Sequence, residues 1–203
     1  MSVGSLKNRV MWVVTAFVTS LLSLTAVSCD TEPQYGSPYP CSFVFYTSYH
    51  KNSLLTLSLG NPGEYVIVEP KVIQGGMHLI MTPNNGEPEV LPLTTEKEAK
   101  RLDYSHMGAN NRLIIGCSLY SGLKAYDGQC SNCLINLGGP SYPLTWSDNG
   151  QRLFCAKCNR SYDPNAEGVP TDNAQKGDRN LYQYAVQYNN EMLHIYNGQP
   201  KGF

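Results

Sequence analysis

The sequence predicts an all-β protein built from short antiparallel strands, and three observations carry that expectation. The 203-residue chain holds 18 Gly, 13 Pro and 14 Tyr, residues that punctuate strands or favour them. Short apolar runs recur between Gly, Pro and Asn clusters. Only Thr94 to Leu102 has good helical character. Hydrophobic residues make up 41% and charged residues 15%, enough for a packed core and against wholesale disorder. The net charge of −1 argues against a general nucleic-acid binder.

Residues 1–28 read as an export signal, set apart from the fold. Lys7 and Arg9 form a short positive region, and Val10 to Ser28 carries no charge. A retained membrane helix is the rival reading of that stretch. Leu24-Thr25-Ala26-Val27-Ser28-Cys29 resembles the lipobox of bacterial lipoproteins, with Ala26 where leucine is usual. The resemblance implies cleavage before Cys29 and lipid on its sulfur. Asp30 and Glu32 resemble sorting signals of some Bacteroidetes lipoproteins. The expected location is the cell envelope, lipid-anchored to a membrane and facing the periplasm or the cell surface. Cleavage would remove two basic residues and leave 13 against 16 acidic, a net charge of −3. Residues 29–40, with Pro33, Gly36, Pro38 and Pro40, read as a flexible tether.

From Cys41 to Phe203 the chain reads as one β domain without an internal repeat. Phe43 to Tyr46 is the first expected strand. Leu54 to Leu59 alternates and is expected to be the second, stopped at Gly60-Asn61-Pro62-Gly63. Tyr65 to Val68 follows, ended by Pro70. Met77 to Met81 is closed by Pro83-Asn84-Asn85-Gly86. Thr95 is the expected N-cap of the one helix, with Glu96 and Glu98 near its start. Leu113 to Tyr120 is the clearest strand, with Cys117 on the face of Leu113, Ile115 and Leu119. Tyr182 to Tyr188 and Met192 to Tyr196 form a hairpin at Asn189-Asn190, residues that tolerate positive φ.

The chemistry lies in two Cys-x2-Cys pairs, Cys130/Cys133 and Cys155/Cys158. Two intervening residues let both sulfurs of a pair face one point, and two such turns can converge four thiolates tetrahedrally. That suits Zn²⁺, iron or an iron–sulfur cluster. Export leaves disulfides and free thiols as rival readings. The histidines, His50, His78, His106 and His194, are isolated, which excludes the two-His helix of zinc peptidases. No Ser/His/Asp ordering, phosphate loop or carboxylate pair stands out. Lys157 and Arg160 read as solvated loop residues, and Trp146 and Tyr142 as shielding or core packing.

The stretches LIIGCSLYSGLKAYDGQCSNC (113–133) and CAKCNRSYDPNAEG (155–168) together resemble the Rieske iron–sulfur domain. Ala125-Tyr126-Asp127 precede Cys130. Tyr162-Asp163 and Gly168 follow Cys158, and Leu181, Tyr184, Val186, Leu193 and Ile195 match the closing strands. The resemblance covers about residues 110–197. It implies a Rieske-like antiparallel β-sandwich with a small rubredoxin- or zinc-ribbon-like metal subdomain over 130–158. The chain also departs from the family. Cys133 and Cys158 stand where histidines are expected, the first loop is one residue longer, and Asn159-Arg160 replace Gly-Ser. A [2Fe–2S] cluster on four cysteines would sit near about −400 mV, well below the roughly −150 to +300 mV of His-ligated centres. Rubredoxin loops usually place Gly after the second cysteine, where this chain has Leu134 and Asn159.

The expected function is electron transfer through a metal centre held by Cys130, Cys133, Cys155 and Cys158. The rival is a structural or binding lipoprotein stapled by zinc, or by disulfides with no cofactor. An enzyme ranks third, since the Rieske-like domain alone brings no substrate site. Partners are expected to be the membrane, through the lipid on Cys29, and a protein redox or envelope partner. No twin-arginine pair lies in Met1 to Met11, so folded export with a preassembled cluster is disfavoured. Cys41 and Cys117 are left over and form a candidate disulfide, with a buried inert thiol the other reading of Cys117.

Overall fold

A computed structural model describes residues 37–139 and 141–197. The export signal, Cys29 and most of the tether lie outside the described residues. The first half of the domain contains β1 (Ser42–Phe45), α1 (Leu54–Ser58), β2 (Tyr65–Ile73), β3 (Gly76–Pro83), β4 (Glu89–Pro92) and α2 (Glu96–Arg101). Then come β5 (Leu113–Ser118), β6 (Gly122–Asp127) and α3 (Ser131–Leu137). The second half adds β7 (Leu144–Ser147), β8 (Arg152–Cys155), β9 (Ser161–Asp163), β10 (Val169–Pro170), β11 (Gln183–Tyr188) and β12 (Leu193–Tyr196). The fold is mostly β, as expected.

Two antiparallel sheets account for these strands. The larger runs β1-β12-β11-β6-β5-β2-β3-β4 and curls, while the smaller runs β10-β9-β8-β7. The closing hairpin β11–β12 inserts between β1 and β6, so the first and last strands are neighbours. Asn190 takes a φ of +68° in its turn, as expected of asparagine there.

The central strands are buried on both faces, which explains their continuous apolar runs. Val66, Val68, Leu113, Ile115 and Ala125 face a first core with Phe43, Phe45 and Ile195. The alternate residues Tyr65, Ile67, Ile114 and Tyr126 face a second core, which holds three of the knuckle cysteines. Strands β2, β5 and β6 therefore form the partition between the large sheet's core and the core that holds the knuckle cysteines.

Leu54 to Ser58 is a helix rather than the expected strand. Ser53 caps it, its hydroxyl accepting from Thr56 N–H at 3.3 Å, and the Thr56 hydroxyl donates to the His50 carbonyl. Leu55, Ser58 and Leu59 are buried while Leu57 is exposed, which is helical periodicity. Strand β2 continues through Pro70 to Ile73. Its pairing with β5 stops at Val68, so Pro70 interrupts no ladder on that side. The expected helix forms as α2 with Thr95 as its cap, and Glu98 returns to bond the Thr95 hydroxyl at 2.6 Å.

The last tether residues are bonded to the domain. Ser37 Oγ lies 2.8 Å from Tyr184 Oη, the Asn197 amide donates to the Ser37 and Tyr39 carbonyls, and Gly108 N–H donates to the Pro40 carbonyl.

Candidate metal centre

Both knuckles grow from strand ends fixed by close packing. Strand β6 ends at Asp127, and Gly128 then passes so close to Arg112 that a Cβ would lie 2.2 Å from its side chain. The chain enters α3 with Cys130 at the N-cap and Cys133 in the first turn. Strand β8 ends at Cys155. Asn159 N–H donates back to the Cys155 carbonyl at 2.8 Å, and Cys155 N–H donates to the Arg160 carbonyl at 2.9 Å. Asn159 takes a φ of +56° there, so asparagine adopts the left-handed conformation that glycine favours.

The four sulfurs converge, all within 4.8 Å of one another. Two separations that cross between the knuckles are Cys130 to Cys158 at 3.6 Å and Cys133 to Cys155 at 3.7 Å. Cys130, Cys133 and Cys155 are buried and Cys158 is partly exposed. The four residues can hold a metal ion, as their spacing predicts.

Protonation is unequal among them. The Cys155 thiol is lowered to about 5, first by a hydrogen bond from Cys130 and then by the N–H groups of Cys158 and Lys157. Cys130, the donor in that bond, is pushed up. Burial pushes Cys133 up to about 12. A cation that replaces these protons would bind more tightly as pH rises.

A hydrogen-bonded shell surrounds the sulfurs. Tyr162 Oη lies 3.1 Å from Cys130 Sγ and accepts from the Asn132 amide at 3.0 Å. Its oxygen is therefore already served by a donor, which leaves its own proton for the sulfur. Asn132 also bonds Arg179 in both directions, amide to carbonyl and N–H to side-chain oxygen, each at 2.9 Å. Ser131 Oγ donates to the Asn180 carbonyl at 2.8 Å. Arg160 is buried rather than solvated. Its guanidinium grips Asp178 through two bonds of 2.7 and 2.9 Å and also bonds Cys158. Arg160 holds the Asp178 carboxyl below its ordinary range. Sequence reasoning missed this shell: Asp178 sits 18 residues from Arg160, with no local pattern joining them.

The remaining candidates separate. Cys41 and Cys117 are free thiols, so the expected disulfide is absent. Strands β12, β11 and β6 lie between Cys41 beside β1 and Cys117 on β5. Cys41 donates to the Ile195 carbonyl at 3.7 Å, and burial raises it to about 12. Cys117 is partly exposed rather than buried. Trp146 packs on the second core and donates to the Thr82 carbonyl at 3.0 Å, tying the small sheet to β3. His50, given no role from sequence, bonds the buried Glu98 at 2.8 Å.

Compared with known proteins, the chain matches no family model, no curated protein and no solved structure.

Proposed function

We propose that this chain is an exported, lipid-anchored binding protein whose Rieske-like domain is stapled by one zinc ion on Cys130, Cys133, Cys155 and Cys158. The observation that carries the reading is the closeness of all four sulfurs, none more than 4.8 Å from another. Ligands at about 2.3 Å from a tetrahedral ion lie about 3.8 Å apart. The two cross-knuckle pairs, at 3.6 and 3.7 Å, match that edge. A two-iron cluster carries two cysteines on each iron, which spreads the opposite pairs beyond about 5 Å. Soft thiolates satisfy zinc without redox chemistry. A chain exported unfolded can take up a free ion after it crosses, whereas a cluster must be assembled first.

Electron transfer through iron is the second reading. The donors aimed at sulfur favour it, namely Tyr162 on Cys130 and the Lys157 and Cys158 N–H groups on Cys155, because such bonds set a centre's potential.

Metal analysis and the visible spectrum of anaerobically purified protein separate these readings. One zinc per chain and no colour is the expected result. Two irons with a broad visible band would replace the zinc staple with a cluster and restore electron transfer. No metal together with no free knuckle thiols would make the staple a pair of disulfides.

A further inference from the structure

The two sheets leave a cleft of about 620 Å³ between the end of β3, the β5–β6 turn, the β7–β8 turn and the segment after β9. This volume lies in the range of small-ligand sites. We propose that it binds a neutral oligosaccharide, with the Tyr120 ring as the stacking platform.

The walls are built before any ligand arrives. The Asn84 side chain accepts from Tyr65 N–H at 3.0 Å and donates to the Gly63 and Gly150 carbonyls at 3.0 and 3.3 Å, joining the sheets. A Cβ on Gly150 would sit 1.7 Å from the Asn84 carbonyl oxygen, so only glycine permits this approach. Asp148, Asn149 and Gly150 have φ values of +50°, +52° and +80°, three consecutive left-handed residues that set the turn. Asn165 accepts from Leu119 N–H at 3.0 Å and anchors the other rim.

The chemistry of the lining selects the ligand class. Arg152 and Asp163 are its charged residues, and they neutralise each other at 3.0 Å. The cleft therefore favours neither anion nor cation. Asn85, Asn149 and Gln151 are exposed, with no hydrogen bond to their side chains among the described residues. Each amide offers donors and an acceptor together, which suits vicinal hydroxyls. Tyr120 is 83% exposed on the rim, and its hydroxyl is likewise free of partners among the described residues. An aromatic ring presents a flat face to the C–H side of a sugar. This inference goes beyond the zinc staple and does not depend on which ion binds.

The test titrates the full-length protein, with its metal content measured, against four neutral sugars, maltotriose, cellotriose, mannotriose and tri-N-acetylchitotriose, and against trigalacturonate as the charged control, by calorimetry. Saturable binding of at least one of the four neutral sugars is expected. Tyr120→Ala should weaken it about tenfold and Tyr120→Phe should hold it near wild type, since the ring is kept. Both variants should keep the parent melting temperature, because this side chain stands in solvent. Metal-loaded protein that binds none of the four up to about 10 mM overturns the cleft assignment and leaves the zinc staple intact. Binding that Tyr120→Ala leaves unchanged also overturns it. Tyr120-dependent preference for trigalacturonate over all four would overturn the neutral class.

Discussion

Asp127 is fully buried where β6 hands the chain to the first knuckle. One carboxylate oxygen accepts from Gln129 N–H at 2.9 Å. The other takes Ala109 N–H at 2.8 Å and the Tyr184 hydroxyl at 2.7 Å. These bonds favour the charged form, but burial outweighs them and raises the group to about 6. The folded state thus holds the proton more tightly than the unfolded chain, whose aspartate titrates near about 3.9. The sign follows: this group's contribution to stability is complete below about pH 4 and is lost as pH rises through 6. Asp127→Asn should abolish that slope in denaturant titrations between pH 4 and 7. It should also cost about 2 kcal/mol at the low-pH end, because an amide NH₂ would face the Ala109 N–H. An unchanged slope would assign the pH dependence to another group. Tyr162 invites a second substitution. Tyr162→Phe removes the O–H donated to Cys130 and should lower metal affinity about tenfold in chelator competition, with little change in the far-UV spectrum. At this scale the clustering of the four knuckle cysteines was legible from spacing alone. The buried Arg160–Asp178 pair was not, because it is made by a loop returning from far along the chain.

Element by element, legibility followed local signals. Thr95 and its glutamates marked α2, and the Asn189-Asn190 pair marked the closing hairpin. The strand expected at Leu54 failed because alternation and helical spacing both fit six residues. Ser53, a cap signal one residue ahead, decides between them. The small sheet was not legible. Its strands span two to four residues, too short for a period, and pairing rather than propensity defines them. Where β5 meets β2 the decisive residue is Gly116, opposite Tyr65. A Cβ there would lie 2.1 Å from the Glu64 carbonyl oxygen and 2.7 Å from Tyr65 Cα, both backbone atoms that cannot swing away. Gly116→Ala should cost about 3 kcal/mol. Gly122→Ala, at a φ of +71° with no atom within 4 Å, should cost about 1 kcal/mol. Equal losses in urea melts would show that the β2–β5 contact yields more readily than its geometry implies.

The described domain consists of two cores with one shared partition. Strands β2, β5 and β6 send alternate side chains to each side. The first core is supported by an eight-stranded sheet with β1 at one edge, β12 beside it and β4 at the other edge. The second leans on four short strands and draws three of its buried members from the knuckle cysteines. Strands β8 and β9 pair within the small sheet. Without an ion, α3 would be held to them by the Asn132–Tyr162 bond and by contacts among three buried thiols. Thiols are weak donors and acceptors, so the contribution of the proposed ion would belong to the second core. Removing the ion with a strong chelator under reducing conditions should raise amide exchange in β7, β8, β9 and α3. Exchange in β1, β11 and β12 should stay near its starting level, and the melting temperature should fall by about 10 °C. A uniform rise over both sheets would mean that the partition transmits the loss and the domain opens as one cooperative unit. No rise at all would mean that Trp146, Asn84 and the Arg160–Asp178 pair suffice to hold the small sheet. The sulfurs would then be kept for chemistry rather than for folding, which is the condition under which electron transfer outranks the zinc staple.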